Sequence, residues 1–301
     1  MVSPASPLLE QAVVADGRGT LVASVAEAEA LVWTDPGDPA GLATVLASGG
    51  GHPGLRWVQL PFAGVDAFLP LIDTGRVWTS TKGAYAEPVA EHALALGLAG
   101  LRGLGARARA RSWGRPAGRR LMGGRVTVVG GGGITEALVR LLVPFGVTVT
   151  VVRKRVAPMA GVADVVAPTG LGAALGGADL VVLALALTPE TAGLIGGAEL
   201  AAMEPHAWLV NVARGDHVDT DALVEALRAG TIGGAALDVT SPEPLPGGHP
   251  LWSLDNCLIT PHVANTWAMA LPLFAERVRE NVRRWADGES LLGVVDPVLG
   301  Y

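Results

Sequence analysis

The sequence holds a single cysteine, Cys257, in 301 residues, so no intrachain disulfide is possible and a reducing compartment suits it. Sitting in a strand-like run, Cys257 reads as a small core residue. Net positive charge is also missing. The formal balance is -6, which works against broad attraction to nucleic acid or to an anionic membrane and leaves only local basic patches. No apolar run is long enough to cross a bilayer: the longest, around residues 88–111, is broken by Glu91, His92 and then closely spaced arginines. The opening MVSPASPLLEQ has neither a basic stretch nor an apolar one after it, so no secretory signal is read and a cytoplasmic protein is expected. No repeat of fixed period is evident, and no metal site is predicted.

What is present is a large apolar fraction, half of the residues, with 17% charged, enough for a substantial core and two modest domains. From about residue 124 short apolar runs alternate with helical segments. RVTVV (125–129), VTVTVV (147–152), DLVVLALAL (179–187), AWLVNVA (207–213), AALDV (235–239) and CLIT (257–260) read as strands. Several lack polar alternation, as strands buried on both faces of a parallel sheet do. TEALVRLLVPFG, LGAALGG and TDALVEALRAG read as helices between them, the last with glycine at its end. This order predicts a doubly wound parallel α/β domain over residues 93–269. The first ninety residues show shorter alternations broken by DPGDP and SGGGHPG, and read as a second, smaller α/β domain. A helical stretch from about Glu87 to Arg111 connects the two, and the amphipathic helix near the chain end is free to return to the first.

The stretch VVGGGGITEALVR places glycines between a strand and a helix. In a G-x-G-x-x-G loop the first glycine permits the turn, the second lets the backbone approach pyrophosphate, and the third allows close helix packing. Gly130 and Gly132 fill the first two roles, Thr135 stands in the third, and Gly133 and Ile134 between them are read as cofactor-binding, with phosphate against the free N–H groups at the helix N-terminus. The alternative is a structural glycine turn. At the end of the next strand, where a carboxylate would hold the ribose hydroxyls of NAD, stand Arg153, Lys154 and Arg155. They are either an exposed basic turn or a seat for a 2'-phosphate, which favours NADP with NAD as the second choice.

Ligands of open α/β sheets bind outside the carboxyl ends of the strands. The residues there are Thr188, Asn211, Arg214, Asp238, Glu243 and His262. Arg214 can grip a carboxylate with paired N–H donors. His262 can exchange a proton with a carbonyl oxygen, and Glu243 beside it would favour the protonated ring. Singly, each also reads as a solvated loop arginine, a turn residue or a packing histidine. Position sets His262 apart from the other histidines, 52, 92, 206, 217 and 249: His217 lies near Arg214 but in a helix-capping loop, and His249 lies among turn residues.

Together these motifs resemble the D-isomer-specific 2-hydroxyacid dehydrogenases. FAGVDAF, TKGAYAEPVAEHALAL, LMGGRVTVVGGGGI, LALTPETAGLI, WLVNVARGDHVDTDALVEAL, GGAALDVTSPEPLPGGHPLW, NCLITPHVANT and VVDPVLGY occur in family order. The resemblance implies Arg214, Glu243 and His262 as catalytic residues. It implies Asp238 near the nicotinamide carboxamide, and Ala63 and Gly64 as backbone donors to the substrate carboxylate. It also implies a Rossmann nucleotide domain beside a flavodoxin-like substrate domain built from residues 1–92 and 270–301, and homodimerisation through the nucleotide domain. The basic turn looks like that of NADP-using glyoxylate and hydroxypyruvate reductases, so a small 2-keto acid is the expected partner. Thr135, a short N-terminal part and Trp267, which either narrows a pocket or packs in the core, depart from the pattern. The other class of function on this scaffold is a cofactor-sensing corepressor with little turnover.

Overall fold

The computed structural model describes residues 1–48 and 53–297; His52 and the last four residues of VVDPVLGY lie outside the described residues. The chain divides into two compact units, Met1–Tyr85 with Trp267–Tyr301, and Ala86–Thr266. The division falls before Ala86 because the helix beginning there buries Ala90, Ala93 and Leu96 in the core of the second unit.

The first unit carries β1 (Val2–Ser3), α1 (Pro7–Val14), β2 (Ala30–Trp33), α2 (Pro39–Ala47), β3 (Trp57–Gln59) and β4 (Val77–Thr79), with the terminal helix Trp267–Asp287. Its strands form one parallel sheet in the order β1-β2-β3-β4. The flavodoxin order 2-1-3-4-5 has a further strand outside the first. Here, among the described residues, the chain between α1 and β2 holds only a single 3-10 turn, Val25–Glu27, so that outer position is not filled. Neighbouring residues of β2 face opposite sides: Leu31 and Trp33 join Leu42 of α2 in one core, while Val32 joins Leu9 and Val13 of α1 and Phe274 and Val278 of the terminal helix in the other. Buried polar groups tie that helix down. Asn281 Nδ2 donates to Gln59 Oε1 at 2.9 Å, and Thr79 Oγ1 donates to the same oxygen at 2.8 Å. Trp267 packs edge-on against Phe62 and tilts against Phe274, at 6.1 and 6.3 Å between ring centres, with 37% of its surface exposed.

The second unit contains α3 (Ala86–Leu101), α4 (Leu104–Arg109), β5 (Arg125–Val129), α5 (Gly133–Leu142), β6 (Thr148–Val152), β7 (Asp164–Val166), α6 (Leu171–Leu175), β8 (Leu180–Leu183), α7 (Gly197–Ala202), β9 (Trp208–Asn211), α8 (Thr220–Ala229), β10 (Gly234–Leu237) and β11 (Cys257–Ile259). Its seven strands are all parallel, in the order β11-β10-β9-β8-β5-β6-β7. The apolar runs are buried on both faces. Val126, Val128, Leu180, Val182 and Val210 pack against α3 and α5, while Val129, Val181, Leu183, Leu209 and Leu237 pack against α6, α7 and α8. The run read as a strand through residue 187 leaves the sheet after Leu183, and β7, only three residues long, was not foreseen. The connecting helical stretch breaks at Gly103, which adopts φ 60°. α3 lies close on the sheet because it presents glycine: a Cβ at Gly100 would overlap the Trp208 indole, and one at Gly97 would crowd Leu180.

Candidate active site

The strand register brings one row of residues to a common edge. Val152, Val129, Leu183, Asn211, Leu237 and Ile259 are successive neighbours across six strands. The next residue along each strand, namely Arg153, Gly130, Ala184, Val212, Asp238 and Thr260, therefore leaves the sheet at its carboxyl edge. Parallel pairing in one register thus gathers the glycine loop, the basic turn and the acid-bearing loops on one side of the unit.

At β5 the chain turns through Gly130, whose φ of 114° excludes a side chain, and a Cβ there would also overlap the Ala184 carbonyl. Gly132 is the N-cap of α5 and faces open space, which suits an anion approaching the backbone. Gly133 and Ile134 form the first helical positions. Thr135 is fully buried, and its Oγ1 donates to the Gly130 carbonyl at 3.0 Å. The hydroxyl thus bonds across the loop where a glycine would allow close contact.

Arg153 folds back over the loop, its aliphatic stem against Gly131, and its guanidinium donates to the carbonyls of Ala157 at 2.7 Å and Gly131 at 3.4 Å. Lys154 pairs with Glu190 at 3.1 Å, and Thr188 Oγ1 donates to the same Glu190 oxygen. The Lys154 ammonium and the Thr188 hydroxyl hold the Glu190 carboxyl below its ordinary range. Arg155 is exposed. Sequence reasoning passed over the brace beneath the Thr188 loop. His217 is fully buried, with Nδ1 2.9 Å from the Thr191 carbonyl and Nε2 3.3 Å from that of Leu185.

At the other end of the row, Asn211 Nδ2 donates to the Arg214 carbonyl at 2.8 Å and its Oδ1 accepts from Ala213 N–H, fixing the turn that carries Arg214. The Arg214 guanidinium donates to the Ala213 carbonyl at 2.8 Å. Glu243 and His262 come together: His262 Nδ1 lies 2.6 Å from Glu243 Oε1, with 51% and 41% of the two side chains exposed. His262 has φ 52°, the only positive value at a non-glycine among the described residues. Its N–H donates to the Asp238 and Thr260 carbonyls.

The Asp238 carboxylate is almost wholly buried and committed to the chain itself. Oδ1 accepts from Thr260 Oγ1 at 2.6 Å and Val263 N–H at 2.9 Å, and Oδ2 accepts from Ala264 N–H at 2.9 Å. His92 Nε2 stands 3.3 Å from Oδ1. Burial alone would raise its pKa, but hydrogen bonds from His92, Thr260, Val263 and Ala264 outweigh that and bring it down to about 2. His92 lies within α3, so no strand end in the sequence points to it. Ala63 and Gly64 belong to the other unit, in the loop that leaves β3, with Ala63 exposed. Among the described residues no three His, Cys, Asp or Glu side chains group as metal ligands, and no helix is long and apolar enough to cross a membrane. Cys257 is buried in β11, and burial pushes its thiol up to about 12.

A doubly wound sheet with a glycine loop after an inner strand, and with acid, base and guanidinium groups along the same edge, is the architecture of a nucleotide-dependent oxidoreductase. The family described as "D-isomer specific 2-hydroxyacid dehydrogenase, NAD binding domain" matches residues 93–264, and the chain belongs to the D-isomer specific 2-hydroxyacid dehydrogenase family. The family's chemistry is hydride transfer between a nicotinamide cofactor and a small 2-hydroxy or 2-keto acid.

A Corynebacterium melassecola protein described as "uncharacterized protein in proB 3'region" is 38% identical over 82% of this chain and 84% of its own length. The glyoxylate/hydroxypyruvate reductase A of Serratia proteamaculans is 35% identical over 58% of this chain, a match spanning 56% of that reductase. The crystal structure of a D-isomer specific 2-hydroxyacid dehydrogenase from Xanthobacter autotrophicus Py2, in complex with NADPH and MES, superposes with a TM-score of 0.82. It is 32% identical and covers 98% of this chain and 94% of that one.

Two outcomes are expected from this geometry. Thr135→Val removes the donor to the Gly130 carbonyl while keeping the shape, and should cost about 1 kcal/mol in urea unfolding, with Thr135→Ser recovering most of it. The Asp238 carboxyl ionises more readily folded, at about 2, than at its ordinary 3.8. Its contribution, roughly 2 kcal/mol, is therefore present above the unfolded value and lost as pH falls toward the folded one. Urea denaturation between about pH 5 and pH 2 should show this loss in the wild type and a flatter profile in Asp238→Asn.

Proposed function

We propose that this chain reduces a small 2-keto acid at the carboxyl edge of the larger sheet, with Arg214, Glu243 and His262 as the reacting set. The observation that carries this reading is the 2.6 Å contact between His262 Nδ1 and Glu243 Oε1. An ionised carboxylate only accepts, so Nδ1 holds a proton and Nε2 is left as the atom that gives or takes one. Both side chains are about half exposed, so the pair is open to a ligand.

In the direction of reduction, the protonated His262 ring donates from Nε2 to the substrate's carbonyl oxygen, and Glu243 stabilises the imidazolium before transfer. Arg214 presents a planar fork of N–H donors, suited to holding the substrate carboxylate and drawing electron density from the neighbouring carbonyl. When bound, the nicotinamide ring supplies the hydride. Gly130, Gly132, Gly133 and Ile134 would hold its pyrophosphate. Arg153, Lys154 and Arg155 would hold a 2'-phosphate, a reading supported by the lack of a carboxylate directly after β6 and by the NADPH named in the Xanthobacter structure. Glyoxylate and hydroxypyruvate are the proposed substrates, supported by the likeness to the reductases.

Purified protein should oxidise NADPH with glyoxylate or hydroxypyruvate, and His262→Asn should lower kcat by about 100-fold or more. NADPH binding without turnover on any 2-keto acid would fit a cofactor sensor and overturn the enzyme reading. Tighter binding of NADH than of NADPH would overturn the cofactor preference.

The larger unit also carries an apolar patch suited to pairing with a second copy. Leu104 and Trp252 are 52% and 51% exposed, and with Leu96, Leu251 and Leu258 they line one depression. Sedimentation should give twice the chain mass, and Leu104→Glu with Trp252→Arg should reduce it to one; a monomeric wild type would remove the proposal.

A further inference from the structure

We infer that His92 is a positioning residue for the reaction, holding the loop that carries His262 through Thr260 and Asp238. The inference rests on the reading of His262 as the acid/base group. His92 Nε2 lies 3.0 Å from Thr260 Oγ1 and 3.3 Å from Asp238 Oδ1. The threonine hydroxyl has one proton, and the 2.6 Å contact with Asp238 Oδ1 spends it on the carboxylate. Thr260 Oγ1 must then accept from His92, which fixes the imidazole proton on Nε2. That proton is shared between Thr260 Oγ1, the nearer acceptor, and Asp238 Oδ1 at 3.3 Å, and a directed chain runs from His92 Nε2–H through Thr260 Oγ1–H to Asp238 Oδ1.

The carboxylate passes this order to the backbone. Its two oxygens take the N–H groups of Val263 and Ala264, the two residues directly after His262. His262 itself sits at φ 52°, a conformation that an L-residue adopts only when its surroundings hold it there. Every partner of the chain therefore falls on the segment from Thr260 to Ala264 or on the Asp238 that grips it. α3 does not need the imidazole for its packing, because Ala90, Ala93 and Leu96 supply its buried face. What His92 adds is a donor.

The test uses the 301-residue chain, three single variants and the double variant of His92→Phe with Thr260→Val. His92→Phe removes the donor, His92→Gln returns an amide N–H near the Nε2 position, and Thr260→Val breaks the same chain from its other end. Because His262 would be displaced without loss of any ligand contact, His92→Phe and Thr260→Val should each lower kcat about tenfold while the KM for glyoxylate and the Kd for NADPH change less than about twofold. His92→Gln should return to within about threefold of wild type, and the double variant should be no slower than the slower single, since both cut one chain. Wild-type kcat in His92→Phe, or losses that multiply in the double variant, would overturn the inference.

A second readout does not depend on turnover. Amide exchange across residues 260–266 should be faster in His92→Phe and Thr260→Val than in wild type, and restored in His92→Gln. Unchanged exchange sinks the clamp even in a chain with no activity. Absence of turnover in the wild type sinks the reductase reading alone.

Discussion

Everything in the larger unit depends on parallel pairing held in a single register across six strands. Backbone hydrogen bonds fix the relative height of each strand, so a residue's place in the sequence becomes its place along one edge. Gly130, Arg153, Asp238 and Thr260 are separated by tens of residues and come to one edge of the sheet only because Val129, Val152, Leu237 and Ile259 lie in the same row. A slip of one residue in any strand would turn its core-facing side chains to the other layer, and the continuous burial of both faces resists it.

Two buried or half-buried aspartates show how the edges differ in use. Asp179 precedes β8 at the amino edge, where it accepts from Arg125 N–H and meets His206 at 2.8 Å, a stitch between the strand starts. Asp238 follows β10 at the carboxyl edge and spends its charge on the turn after β11. Both carboxyls are held below their ordinary range against the pull of burial. The chemistry is the same. Only the second reaches the loop that bears a reactive group.

Much of this was legible in the order of residues. Buried strands of a parallel sheet announce themselves by runs such as RVTVV and DLVVL, and the polar residue after each run marks the ligand edge, which is how Arg214, Glu243 and His262 could be named together. The strand β7 escaped because three residues are too short for a period to show. The fourfold occupation of the Asp238 carboxylate escaped for another reason. Its partners come from α3 and from the turn after β11, and no local pattern records contacts across such distances in sequence. The part played by Thr135 was hidden similarly: its letter suggested bulk, whereas its effect comes from a hydroxyl directed at Gly130. His217 and His92 look alike in sequence, yet one props up a loop's carbonyls and the other starts a chain of donors.

The glycines of α3 set a dimension as well as a packing. Gly100 lies two turns beyond His92 on the same helical face, and its missing side chain lets the helix axis settle against the Trp208 ring. Helix and sheet behave there as two plates with a thin spacer at one end. The reach of an imidazole is short, and a helix lying this close suits the ring at position 92 to its contacts with Asp238 and Thr260 at the ends of β10 and β11. A residue with no side chain thereby belongs to the same close approach as a contact made about 12 Å away along the helix.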